Sequence, residues 1–268
     1  MDQVINRVKN RINHQMKKRI KYLLFIIILA LVFIVGYQNL EYNWQWYRVK
    51  DYLFGFENGR LTGGLLVQGL VITIQISAIS LVLSLAIGFL SAFARLSPYP
   101  SLRAVSWVYI ESIRNTPLLI QIFVIYFVIS PVFNLSAFVS AVLALSLFEG
   151  AYSSEIIRSG IINVPKGQYE AAQSIGLSTF QTYTKILIPQ MLRQTLPMLA
   201  GQSVSLIKDS ALVSTISIYD LTMQGQRIVS ETFLSFEIWF VVAGCYLIMT
   251  AGLSFVIRWF ENRLKYIN

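Results

Sequence analysis

The sequence predicts an all-α fold, a polytopic membrane helical bundle. Three observations predict it. Hydrophobic residues make up 55% of the 268 residues and charged residues only 13%, against roughly 25% charged in an ordinary globular protein. Mean hydropathy is +0.60. Several uncharged runs are as long as the about 20 residues a helix needs to cross a bilayer. In hydrocarbon every backbone polar group must be satisfied inside the chain, which helices do segment by segment.

Taken in order, residues 1–21 form a basic tail carrying Arg7, Lys9, Arg11, Lys17, Lys18, Arg19 and Lys21. The net charge of +9 is concentrated there and beside later apolar runs. That distribution sets topology and touches anionic lipid rather than reading nucleic acid. Tyr22–Tyr37 is a first span, and no small-residue cleavage site follows it, so it reads as a retained helix rather than a signal peptide. The aromatic stretch to Arg60 suits an interface. Leu61 to Ala94 is a second span with surplus length, and its start is expected along the membrane surface. Two further helices are expected at Val108–Ile129 and Leu135–Ile157, separated by a break at Ser130-Pro131. A polar segment, about 158–195, follows. Leu196–Ile218 is a weaker span interrupted by Lys208 and Asp209, and Ile238–Ile257 is a clean last one.

Six helices with a cytoplasmic N-terminus put sixteen Lys/Arg inside and four outside (Arg48, Lys50, Arg60, Arg227), with Arg114 and Lys208 left within helices. The positive-inside bias therefore predicts that both termini and the polar segment face the cytoplasm.

The chemistry classes thin out quickly. The chain has no GxxxxGK[ST] phosphate loop, no GxSxG and no HExxH. One cysteine, Cys245, and one histidine, His14, form no metal cluster. Within the polar segment, Tyr169, Ala172, Ile175 and Gly176 fall at helical spacing, a face of small residues. On spacing alone that face fits either a docked partner or a surface-lying helix with none.

The stretch EAAQSIGLSTFQTYTKILIP resembles the cytoplasmic-loop signature of ATP-binding-cassette importer permeases. Glu170, Ala171, Ala172, Gly176, Ile186 and Pro189 match, and Ile188 stands where the pattern has leucine. YIESIRNTPLLIQIFVIYF, GAYSSEIIRSGIINVPKGQYEAA and IKDSALVSTISIYDLT are similar to the polar amino acid branch of that family. The resemblance covers about residues 64–264 and implies a type I importer permease fold of about five core helices plus one extra N-terminal helix. The division it implies is a tail at 1–21, an extra transmembrane helix and aromatic segment at 22–63, and a permease domain at 64–264 with its coupling loop at about 158–195. It implies a bacterial inner-membrane protein that carries a polar L-amino acid. Its implied partners are two ATPase subunits, a second permease (identical or homologous) and a periplasmic or extracellular binding protein. No cofactor is bound directly; ATP and Mg are used by the partner subunits. Tyr169, Glu170, Ala171, Ala172, Gly176 and Pro189 are the expected coupling residues.

Ionisable and amide groups at membrane depth mark candidate pathway residues. These are Gln75, Arg114, Asn115, Thr116, Glu149, Lys208, Asp209 and Ser210. Structural readings stand beside each. Glu111 and Arg114 are spaced to pair with each other, and Glu155 with Arg158. Gln75 also suits a helix–helix hydrogen bond. Glu149 has no obvious partner and fits either the ammonium of an amino acid or Lys208. The competing function is an ion-gradient-driven secondary transporter. It calls for inverted repeats or a dense set of intramembrane carboxylates, and the sequence displays neither.

Overall fold

The computed structural model describes residues 16–28, 31, 34, 35, 42–57 and 60–265. The chain divides into two units, Met1–Gln45 and Trp46–Asn268. In the first unit the described part of the expected span Tyr22–Tyr37 is helical, as are residues 16–21; the remainder of that span, and residues 1–15 of the tail, lie outside the described residues.

The second unit opens with α1, Val49–Leu53, and a hairpin of β1, Phe54–Glu57, and β2, Arg60–Gly63, paired antiparallel with Phe54 opposite Gly63. The sequence reading had no sheet here and ran a helix from Leu61. Alternating apolar residues around an Asn58-Gly59 pair are the hairpin signal. The first long helix, α2, spans Leu65–Leu96 and stops before Pro98. Its buried residues are mostly small: Gly69, Thr73, Ser77, Ser80, Ser84, Gly88 and Ala92. Of these, Ser80 and Gly88 let α5, Ala137–Ile162, approach closely, while Gly69 and Thr73 meet Asp220 and Leu221. A Cβ on Gly88 would meet Ser153 at 2.8 Å, and one on Gly150 would meet Ile87 at 2.8 Å. Small residues at a helix crossing replace the missing hydrophobic drive with van der Waals contact. Ser80 Oγ also donates to Val142 O at 3.4 Å across this interface.

The expected single helix Val108–Ile129 is instead two, α3, Pro100–Arg114, and α4, Leu118–Phe133, bent by 110°. Pro117 is the reason. It has no N–H to donate and pushes Thr116 out of the helical region. Conversely, Ser130-Pro131 does not break α4, because a π turn at Val124–Ile129 precedes it and the helix ends only at left-handed Asn134, φ 51°. Ser136 then caps α5 through the Val139 N–H.

The expected loop 158–195 is largely helical. It contains α6, Lys166–Ser174, and α7, Thr179–Thr182, which runs through a π turn into α8, Ile188–Asp209. The fifth span thus starts eight residues before the expected Leu196, carries Pro197 inside it, and continues as a 3-10 helix, Ser210–Ile216. An unexpected amphipathic helix, α9, Leu221–Thr232, is capped by Asp220, and α10 runs Ser235–Lys265. Among the described residues three helices, α2, α5 and Ser235–Trp259 of α10, are long and apolar enough to cross a membrane, with the bent pair α3 and α4 as a fourth. Helix α8 is long enough, but Arg193, Lys208 and Asp209 lower its hydropathy.

Three apolar clusters hold the second unit. Ile76, Ile122, Leu145 and Leu206 join α2, α4, α5 and α8. Ile157, Leu187 and Met191 hold the α6–α8 segment against α5. Leu66, Leu221, Ile228 and Ile238 join α2, α9 and α10.

Candidate functional site

Two regions carry the sequence-predicted residues. The first is the turn after α6. Gly176 has φ +81° and lies just past the helix end. Its N–H donates to Gln173 O at 2.9 Å, and the Leu177 N–H donates to Ala172 O at 3.1 Å. These are the two bonds of a Schellman C-cap, which needs a left-handed residue at this position. Nothing lies within 4 Å of a Cβ built on Gly176, so its backbone conformation, and no contact inside the chain, calls for glycine. Two residues later Ser178 starts α7 with a capping box. Its Oγ accepts from the Gln181 N–H at 3.3 Å, and Gln181 Oε1 accepts from the Ser178 N–H at 3.0 Å. The two caps set the α6–α7 elbow.

The small-residue face splits in two. Ala172 is buried and Tyr169 packs against the second cluster, so both serve the chain's own core. Glu170, Ala171, Ile175, Gly176 and Phe180 are exposed, Ile175 and Phe180 each at 76%. Pro189 is exposed just after the π turn that leads into α8, where the widened turn accommodates its missing N–H. Tyr183 in the π turn is half-buried against Phe93. Its burial, with Tyr169 beside it, raises its hydroxyl above the ordinary tyrosine value, so it is a neutral packing group. Gly160 is the contact point between α5 and α8, since a Cβ there would run into Thr195 and Met191.

The second region lies at mid-bundle. Glu149, near the centre of α5, is 1% exposed, and neither carboxylate oxygen has a hydrogen-bond partner. Gln202 and Asp209 of α8 are its electrostatic neighbours, with Gln202 close but outside hydrogen-bond geometry. Lys208 acts on Asp209 and is itself exposed. Glu149, Lys208 and Asp209 are thus brought to one level, and Gln202, about four turns into α8 with nothing in its local pattern to mark it, is the residue sequence reasoning missed.

The remaining candidates go elsewhere. Gln75 is on the exposed face of α2. Asn115 and Thr116 cap the broken end of α3, with Asn115 Nδ2 donating to Glu111 O at 2.7 Å and Thr116 Oγ1 to Ser112 O at 2.9 Å. Gln121 completes that cap by donating to Ile113 O at 2.7 Å. Ser210 Oγ donates to Ile207 O at 2.8 Å. Arg114 does not pair with Glu111. Its guanidinium sits 5.4 Å from the Tyr152 ring centroid, a cation–π contact. Glu155 does pair with Arg158, at 2.7 Å.

Residues 84–266 match the family of binding-protein-dependent transport system inner membrane components. The chain belongs to this family. It is a membrane-embedded permease subunit of an ATP-binding-cassette importer and not an enzyme; partner subunits hydrolyse the ATP. The chain is 39% identical over 204 residues to the glutamine transport system permease protein GlnP of Escherichia coli (strain K12), covering 75% of this chain and 93% of that protein. It is 39% identical over 199 residues to the L-cystine transport system permease protein TcyB of Bacillus subtilis (strain 168), 73% of this chain and 85% of that one. A solved amino acid ABC transporter with histidines superposes with a TM-score of 0.69 at 35% identity, over 74% of this chain and 94% of that one. Membership places the permease in the inner membrane as a multi-pass component of a complex with ATPase subunits and a substrate-binding protein.

Proposed function

We propose that this permease conducts a polar L-amino acid through a pathway beside Glu149, Gln202, Lys208 and Asp209. The observation that carries the reading is Glu149 itself. A buried carboxyl with both oxygens unbonded is costly and is kept at membrane depth only for a purpose. An ammonium group supplies the hydrogen bonds it lacks. The amino acid named for each relative above supports the same substrate class, and glutamine is the first to test.

The transporter is assembled from two permeases, two ATPases and a binding protein. The exposed face of Glu170, Ala171, Ile175 and Gly176, with the exposed Pro189, meets the ATPase, while Tyr169 and Ala172 hold that face on the bundle. Both termini and the α6–α7 elbow are cytoplasmic, as the charge bias of the sequence requires. Residues 1–21, 22–63 and 64–264 act as tail, extra helix segment and permease core. ATPase closure then acts on α5 and α8 through the second apolar cluster, and a two-state bundle shifts because the contacts differ between its states.

The test is to purify the complex and reconstitute it with its binding protein. Uptake should require ATP, and a polar amino acid should stimulate hydrolysis. Uptake that persists without ATP and collapses with the proton gradient would overturn the reading.

A further inference from the structure

The motif that ends in Tyr219-Asp220-Leu221-Thr222 leaves one buried acid that neither the elbow nor the mid-bundle group uses. Asp220 is 1% exposed and stands between the 3-10 helix and α9, outside the spans counted above. There α9 is tied to two long helices at once. On α2, a Cβ built on Gly69 would lie 2.7 Å from Asp220 O, and Thr73 Oγ1 accepts from the Leu221 N–H at 3.1 Å. On α10, Tyr246 OH donates to Asp220 Oδ2 at 3.4 Å and pairs with Thr222 Oγ1 at 2.9 Å.

This junction is a poor host for an anion. Oδ1 accepts the Met223 N–H at 2.8 Å, while among the described hydrogen bonds Oδ2 has only the long one from Tyr246. A buried carboxyl stays ionised when several short donors or a nearby cation offset its desolvation. No cation faces Asp220 among the described residues. Helix α2 has no ionisable side chain before Arg95, and the 3-10 helix has none. On α9 the Arg227–Glu231 pair is exposed, as is Tyr219 before it. Helix α10 brings Tyr246, with Cys245 beside it and Glu237 about 13 Å further along. Helix α1 keeps Lys50 and Asp51 exposed and lends Tyr52 to the third apolar cluster. Burial raises the Asp220 carboxyl to about 6, although the N–H groups at the start of α9 and the Tyr246 hydroxyl lower it.

Gln224 has the complementary fault. It is 5% exposed, and its Oε1 has no hydrogen-bond partner. It lies one helical turn from Asp220, and the Cβ position on Gly69 that approaches Asp220 O is 2.9 Å from Gln224 Cγ. An acceptor without a donor thus adjoins an acid with too few donors, and one proton satisfies both.

We propose that Asp220 and Gln224 form a proton-operated latch at the outer end of the bundle. The proton comes from the outer solution and rests on Asp220 Oδ2, which donates it to Gln224 Oε1 and holds α9 against α2 and α10. Its return to solution leaves a buried charge beside an unpaired amide oxygen, and α9 separates more readily. An acidic exterior holds the outer end shut, and a neutral one frees it. The latch goes beyond the transport reading and takes from it only which end is outer.

The test is hydrogen exchange of the α9 amides in the assembled transporter without ATP, corrected for intrinsic exchange rates. The closed state binds the proton more tightly than the open one, so the hold is strongest in acid and is lost as pH rises through about 6. With an ordinary carboxyl at about 3.9 when open, opening should be about tenfold rarer at about pH 5 than at about pH 7.5, and α9 should exchange about tenfold more slowly there. Asp220→Asn, a neutral N-cap whose amide can donate to Gln224, should exchange slowly at both pH values. Gln224→Met removes the acceptor and should diminish the pH effect. Equal corrected exchange of the wild type at the two pH values, a pH effect that survives in Asp220→Asn, or an undiminished effect in Gln224→Met would each overturn the proposal. If Asp220→Asn does not assemble, Asp220→Ser replaces it as a neutral N-cap. Failure of both to assemble would overturn the proposal too, because the uncharged junction has to be the tighter one.

Discussion

At the scale of single residues, two positions combine conformation with purpose. Gly176 is held at φ +81° by the C-cap of α6. A side chain there costs about 1–2 kcal/mol of local strain. Gly176→Val should therefore leave the bundle folded but misalign the elbow, and purified transporter should hydrolyse ATP with sharply reduced amino acid stimulation. Unchanged stimulation would remove the glycine from coupling. Glu149 is the opposite case, a polar group with no partner. Glu149→Gln removes a buried charge, so thermal stability should hold or rise while uptake falls at least about tenfold, the loss of one charge-assisted hydrogen bond of about 1.5–3 kcal/mol. A variant with wild-type uptake and stability would take Glu149 out of the pathway.

At the scale of elements, the bends and crossings are made by a few side chains. The 110° break between α3 and α4 exposes carbonyls that Asn115, Thr116 and Gln121 satisfy. Gln121→Leu strips one donor from Ile113 O and Thr116 and should lower stability by about 1–3 kcal/mol, read as a lower midpoint in a detergent melt. Asn115→Ala should cost less, since it is exposed. Gly160 lets α8 lie on α5 against Thr195 and Met191. Gly160→Leu forces the helices apart and should cost about 1–3 kcal/mol or more, with loss of assembled complex on size exclusion. The α6–α7 elbow depends in the same way on its capping box, and Ser178→Ala should weaken it by about 1 kcal/mol, detected as faster proteolysis at the elbow.

At the scale of the whole molecule, the distribution of charge and the requirement for partners make the prediction. With the N-terminus cytoplasmic, a cysteine replacing Ser178 should label only from the cytoplasmic side, and one replacing Tyr219, which is half exposed, only from outside. Labelling of both from one side would contradict the orientation. Uptake should vanish without the ATPase subunits, because the sequence has no phosphate loop of its own.

The sequence by itself determined that the chain is a helical membrane bundle, where its long apolar runs lie, and which loop carries the coupling signature. Those properties are local: hydropathy, charge and a contiguous motif from Glu170 to Pro189 are read one segment at a time. It also determined the Glu155–Arg158 pair, whose members sit one turn apart. The bend at Pro117 was missed, and the separate break before α5 was placed at Ser130-Pro131 instead of at Asn134–Ser136. Which of two prolines breaks a helix depended on the side chains that could cap the freed carbonyls and on a π turn that absorbed the other. Only the tertiary structure decided that Glu149 meets Gln202 and Asp209, that Ala172 is core while Ala171 is surface, and that Asp220 meets Gly69 and Tyr246. Each joins residues of different helices, and the rotation of one helix about its axis against another is fixed by packing of small residues such as Gly88 and Gly160, for which no single segment carries the information.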